Sequence, residues 1–155
     1  VLLMDYEYEF TFEDVKESGI AAFESKYGIQ LPKQYRDFLI RNNGGKRVKR
    51  RFDTANKKIE TSVMLFFPIS EEAESNLEAY YRDYTLKNVL PSKFLPIGRD
   101  PMDSLICLVI EGEETGQVYF CDLDYLEEDN GLSPECIYFV SNNFEDFIAL
   151  LRESE

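Results

Sequence analysis

Leu105-Ile106-Cys107-Leu108-Val109-Ile110 is the stretch on which the fold turns. Six consecutive apolar residues are strand length and apolar on both faces, so the run predicts a strand at the centre of a sheet, covered above and below. Glu113-Glu114-Thr115-Gly116 turns the chain after it, and Gln117 to Asp122, with Val118, Tyr119 and Phe120, returns as a hairpin partner. Leu95 to Asp124 is the most strand-like part of the chain, Ile137 to Val140 adds a short strand, and Val63 to Ile69 reads as another ending near Pro68.

Helical periodicity flanks this centre. Thr11 with Asp14 resembles a capping box ahead of Val15, Ile20, Phe23 and Tyr27. Pro32 suits the first turn of a second helix, in which Leu31, Tyr35, Phe38 and Leu39 share a face. Asn42-Asn43-Gly44-Gly45 then reads as punctuation, because these residues tolerate left-handed backbone. Leu77, Tyr80, Tyr81 and Tyr84 suggest an amphipathic helix behind acidic Glu71, Glu72 and Glu74. Asn142 with Glu145 opens a last helix carrying Phe144, Phe147, Ile148 and Leu151. Helices around hairpin strands predict an α+β domain with helices packed on a mainly antiparallel sheet. No repeat or linker divides the chain, so 1–155 is expected to be one domain.

At 155 residues and 18.1 kDa, with 44% hydrophobic residues, the chain can bury a core of its own. It has no histidine, which excludes histidine-dependent triads and histidine metal sites. Cys107, Cys121 and Cys136 are odd in number and lack CxxC spacing, so they read as core thiols of a reducing cytosol rather than disulfides or zinc ligands. No apolar run approaches membrane-span length, and Val1 to Met4 lacks a basic flank, so the expected location is the cytoplasm.

Charge is unevenly spread. Thirty acids against seventeen bases give a net charge of −13, which disfavours a nucleic-acid backbone and favours basic partners. Residues 41–58 nevertheless carry eight basic side chains and one acid, whereas residues 100–155 carry one base and fifteen acids. Lys46-Arg47-Val48-Lys49-Arg50-Arg51 has no interleaved aromatic before Phe52, so it reads as a solvated loop or an orienting counter-charge more than a nucleic-acid site. Asp122-x-Asp124 fails as a calcium loop because Leu126 and Glu127 occupy ligand and glycine positions. Asp100 and Asp103 around Pro101 read as turn-closing residues.

A longer combination is more specific: Phe23-Glu24-x-x-Tyr27-Gly28-Ile29-x-Leu31-Pro32-x-x-Tyr35-x-x-Phe38-Leu39, then Asn42-Asn43-Gly44-Gly45. It resembles the opening of the SUKH superfamily, which includes fungal regulators of cell-wall synthesis and bacterial immunity proteins of polymorphic toxin systems. Leu95-Pro96-Ile97-Gly98-x-Asp100, the strand to Ile110, and Gly116-x-Val118-Tyr119-Phe120-x-Asp122 resemble its middle block, and Phe144 to Leu151 its last helix. The chain departs from the pattern in having no tryptophan, with Cys121 where members often carry one, and Asp103-Ser104 in place of a frequent Gly-Asp.

The resemblance implies a non-catalytic α+β domain, without cofactor or metal, that binds another protein, in bacteria typically a cognate toxin. The acidic composition agrees, since a negative surface speeds capture of a basic toxin domain such as a nuclease. The contact is expected on Asp122, Asp124, Glu127, Glu128 and Asp129, with Tyr119 and Tyr125 as aromatic anchors. The alternative is an intracellular regulatory scaffold of the same fold that binds a cellular protein. An enzyme using paired carboxylates is a third class, marked by convergent acids of perturbed pKa.

Overall fold

The computed structural model describes residues 7–126 and 131–153. Its elements are β1 (Tyr8–Phe10), α1 (Glu17–Tyr27), α2 (Lys33–Arg41), β2 (Lys46–Arg47), β3 (Lys49–Asp53), β4 (Glu60–Ser62), β5 (Leu65–Phe66), α3 (Leu77–Tyr80), β6 (Phe94–Arg99), β7 (Leu105–Val109), β8 (Val118–Cys121), β9 (Ile137–Ser141), α4 (Phe144–Leu150) and β10 (Arg152–Glu153). The expected α+β architecture is what the chain adopts. β5-β6-β7-β8-β9 form a five-stranded antiparallel meander, with β10-β3-β4 and β1-β2 as smaller antiparallel sheets. β7 stands at its centre with all five residues buried, as an unbroken apolar run requires. β8 pairs it from Leu105↔Cys121 to Leu108↔Val118.

The helices bury the faces that their periodicity marks: Ile20 and Phe23 on α1, and Tyr35, Phe38 and Leu39 on α2. Phe38, Phe66, Phe144 and Phe147 form an aromatic cluster between α2, α4 and the sheet, with Phe38 and Phe144 centroids 4.9 Å apart and edge-on. Phe147 carries the cluster on to Phe52 of β3, 5.3 Å away.

Four expectations need correction. α1 begins at Glu17 behind Lys16, without a side-chain cap, and not at Thr11. Thr11 instead follows β1, which is held extended by pairing with β2, and the Glu13 carbonyl is taken by Asn43. The basic segment is two strands and not a loop: Phe52 points into the core, while Arg50 and Arg51 pair with Glu9 and Glu60. Val63 to Ile69 is only briefly a strand, because at Val63 and Met64 the chain crosses between sheets, their N–H groups donating to the Arg50 and Arg99 carbonyls. The last helix is capped by Asn143, whose Oδ1 accepts the Asp146 N–H at 2.8 Å, one residue beyond the expected Asn142. The tyrosine-rich helix forms, but after Tyr80 it widens into a π-helical turn, Tyr81–Thr85.

Tyr35 is fully buried and its hydroxyl has no hydrogen-bond partner among the described residues. Burial pushes the phenol well above its usual range. A buried hydroxyl left unsatisfied is a net loss, so Tyr35→Phe is expected to stabilise the fold by about 1 kcal/mol and raise the melting temperature by about 3 °C. A melting temperature that fell would mean that the hydroxyl has a partner.

Candidate partner-binding surface

The acids of residues 100–124 are divided by the sheet, while Glu145 and Asp146 lie on α4 and Glu153 on β10. Glu111, Glu113 and Glu114 sit on the β7–β8 turn at one end of the meander, where Glu114 pairs with Lys93 at 2.8 Å. Asp100, Asp103, Asp122 and Asp124 sit at the other, because the register places Arg99, Leu105, Cys121 and Ile137 abreast. The length of β8, about 13 Å at the usual strand rise, separates the two groups.

At the second end two loops are stitched together. Asp100 is buried and closes the β6–β7 turn: one carboxylate oxygen accepts the Met102 and Ser104 N–H groups at 2.9 Å, and the other accepts the Thr61 hydroxyl at 2.8 Å. The turn holds Asp103 in left-handed backbone, φ 67°, and leaves Met102 73% exposed. Ser104 Oγ then accepts the Leu123 N–H at 2.9 Å, fixing the β8–β9 connection beside the turn. Asp122 Oδ1 accepts the Asp124 N–H at 3.0 Å, and the Asp122 N–H donates to the Cys136 carbonyl at 2.9 Å. Asp122 and Asp124 thus shape a turn, and Tyr125 projects from it, 79% exposed.

The local field is negative. Burial, and then the neighbouring Asp122 and Glu135, push the Cys136 thiol up, so it stays protonated. Arg99, 3.4 Å from Asp103, is the basic group paired there. Cys107 and Cys121 are buried free thiols, and burial raises the Cys107 thiol well above its usual range.

Of the residues singled out from sequence, Asp122, Asp124 and Tyr125 come together here. Glu127, Glu128 and Asp129 lie outside the described residues. Tyr119 stands apart, half-buried in β8: its ring stacks on Phe94 with centroids 5.3 Å apart, meets Phe139 edge-on, and its hydroxyl donates to Gln117 Oε1 at 2.9 Å. Its register, opposite Cys107 and Phe139 and next to Val118, places it towards the opposite end of the sheet, and burial, then Glu114, raise its phenol. Asp103, read from sequence as a turn-closing residue, and Met102, which the sequence reading passed over, are both exposed on the β6–β7 turn.

The two connections thus carry carboxylates together with two large exposed side chains, Met102 and Tyr125. Glu9, Glu60 and Glu78 are each held below the usual carboxylate range by hydrogen bonds from cations, led by Arg50, Arg51 and Lys26 respectively, the reverse of what a general acid needs. Among the described residues no cluster of three acids or cysteines could hold a metal ion, and no helix is long and apolar enough to cross a membrane.

No curated protein sequence matches the chain closely enough to count as a relative. The sequence profile of the SMI1 / KNR4 family (SUKH-1) does match, over residues 14–150, from just before α1 to the last residue of α4. That span takes in the helical pair, the whole meander and the stitched loops. The family is generally non-catalytic, is associated in general with protein–protein interaction, and includes immunity proteins and SMI1/KNR4 regulators. The chain belongs to the SMI1 / KNR4 (SUKH-1) family.

Proposed function

We propose that this protein is an immunity protein that neutralises a basic toxin domain, such as a nuclease, by stoichiometric binding at the acidic end of its sheet in the cytoplasm. The observation that supports the reading is the hydrogen bond from the β8–β9 connection to the β6–β7 turn, two segments that carry Asp103, Asp122 and Asp124 and the exposed Met102 and Tyr125. Carboxylates at such a surface attract a cationic partner over a Debye length of about 8 Å and exclude neutral ones, while the tyrosine and methionine supply contact area. Inhibition of this kind is occlusion and needs no proton shuttle, which fits a chain without histidine.

The test is co-expression with the toxin encoded beside this gene, together with titration of the purified pair. The wild type is expected to rescue growth and bind one to one, with an association rate that falls as salt rises. Asp122→Lys with Asp124→Lys, and separately Tyr125→Ala, are expected to weaken binding by about tenfold or more each. Glu111→Lys, at the far end of the sheet, should leave rescue intact. Undiminished rescue by the charge-reversed variants sinks the site. Recovery of a housekeeping protein, with no toxin gene adjacent, assigns the surface to a regulator of the same family instead.

A further inference from the structure

The basic segment ends up as two populations. Lys46 and Arg50 pair with Glu9 at 3.5 and 3.1 Å, and Arg51 pairs with Glu60 at 2.9 Å. Arg41, Arg47 and Lys49 make no ion pair among the described residues, and these three converge. Arg41 and Arg47 line a hollow of about 260 Å³ between α2, α4 and β1, floored by Phe38, Phe144 and Ile148. Arg47 and Lys49 line an adjoining one of about 560 Å³, which shares Ile148 and reaches Leu151. Arg47 is the cation common to both.

Its guanidinium is held and yet unsatisfied. It lies 5.1 Å over the Tyr8 ring and donates through Nη1 to the Tyr8 hydroxyl at 3.3 Å. Nε is buried with no partner among the described residues. Tyr8 does not supply the counter-charge: burial outweighs the arginine and raises the phenol, which stays neutral. Glu7, Glu145 and Glu153 share the walls without approaching any of the three cations to ion-pair distance. Arg41 and Arg47, lining the hollow beside an apolar floor without a carboxylate partner among the described residues, suit an oxygen anion that arrives attached to an apolar group.

We propose that these joined hollows are a second binding site, distinct from the acidic end, and that they receive an extended acidic segment of a protein partner, an aliphatic side chain on the Phe38–Phe144–Ile148 floor and its neighbouring carboxylate on Arg47 and Arg41. A protein segment fits better than a nucleic acid. The cations are few, half of the lining is apolar, and a chain of net charge −13 repels a polyanion far more than a single carboxylate.

The experiment is fluorescence anisotropy on the full chain with a short labelled peptide of alternating glutamate and leucine, its glutamine-for-glutamate counterpart, and a thymidine oligonucleotide of equal charge. Saturable binding of the glutamate peptide is expected, weakened about tenfold by glutamine replacement and about as much by Arg47→Gln or Arg41→Gln. Lys58→Gln, on the β3–β4 turn, and Asp122→Lys, at the acidic end, should change nothing, which separates this site from the one proposed above. Equal affinity for the glutamine peptide, no saturable binding, or tighter binding of the oligonucleotide overturns the proposal. So does a loss confined to Arg47→Gln and accompanied by a lower melting temperature, since that assigns the arginine to folding.

Discussion

Gly45→Ala is expected to destabilise the protein by about 4 kcal/mol, enough to leave much of it unfolded at 37 °C if its total stability is of ordinary size. Gly45 joins the β1–β2 ribbon to the large sheet: its N–H donates to the Phe66 carbonyl at 2.9 Å, and the Phe66 N–H donates to its carbonyl at 2.8 Å. The backbone there has φ 117°, a region that residues with a Cβ avoid. A methyl group would in addition land on the Phe10 carbonyl oxygen and within 2.8 Å of Thr11 Cα, both backbone atoms that cannot swing aside. β1 must therefore back away from Gly45, disturbing its pairing with β2 at Phe10 on top of the strain. Gly116→Ala separates the two contributions, because Gly116 also has positive φ, 99°, but nothing lies within 4 Å of its missing Cβ. That variant should lose only about 1 to 2 kcal/mol to strain. Urea denaturation of both decides the matter, and equal losses would show that crowding at the bridge contributes nothing. As β1 and β2 carry Tyr8 and Arg47, Gly45→Ala should also abolish binding at the cationic hollows in whatever fraction stays folded.

The centre of the fold was legible because hydrophobic burial writes it locally. Six apolar residues at 105–110 have only one place to go, and the hairpin after them needs nothing beyond a turn signal. What was not legible depends on partners remote in sequence. Lys46 to Arg51 looks like solvated chain until Glu9 of β1 and Glu60 of β4 supply countercharges and Phe52 finds the aromatic cluster. The Thr11–Asp14 pair has sound capping spacing, yet no helix forms before Glu17, and the Glu13 carbonyl is taken by the remote Asn43. The acidic surface was half legible. Asp122, Asp124 and Tyr125 announce an exposed turn by composition, whereas Met102 and Asp103 join them only through the register of β6 and β7 on β8 and the Ser104–Leu123 hydrogen bond. Tyr119 could not be told from a surface anchor, since alternation in β8 does not say which face Phe94 and Phe139 cover.

Asn43 makes the same point more sharply, and a one-atom change tests it. Read along the chain it is punctuation after α2. In the fold it is buried, 1% exposed, and ties three segments: Nδ2 donates to the Glu13 carbonyl at 2.8 Å and to the Ile69 carbonyl at 2.9 Å, while Oδ1 accepts the Ile69 N–H at 2.9 Å. Asn43→Asp keeps the shape but turns the doubly donating nitrogen into an oxygen facing two carbonyl oxygens. Ionised, the introduced carboxyl is repelled by both and has lost its water; protonated, it can donate to only one of them. Its proton affinity in the folded chain must therefore rise above the unfolded value near 3.9. For a group shifted in that direction the folded state holds a proton that the unfolded state has released, so stability is fullest below the unfolded pKa and falls as pH rises through the folded one. The variant should be about 4 kcal/mol less stable than wild type at pH 8, and about 1 kcal/mol less penalised at pH 5. Both pH values lie above the isoelectric point near 4.5, where the protein stays charged. Exposed Asn142→Asp is the control and should differ from wild type by less than about 0.5 kcal/mol at either pH. Urea titrations showing the same loss for Asn43→Asp at both pH values would mean that the introduced carboxyl reaches water, and that Asn43 marks the end of a helix without clamping the segments around it.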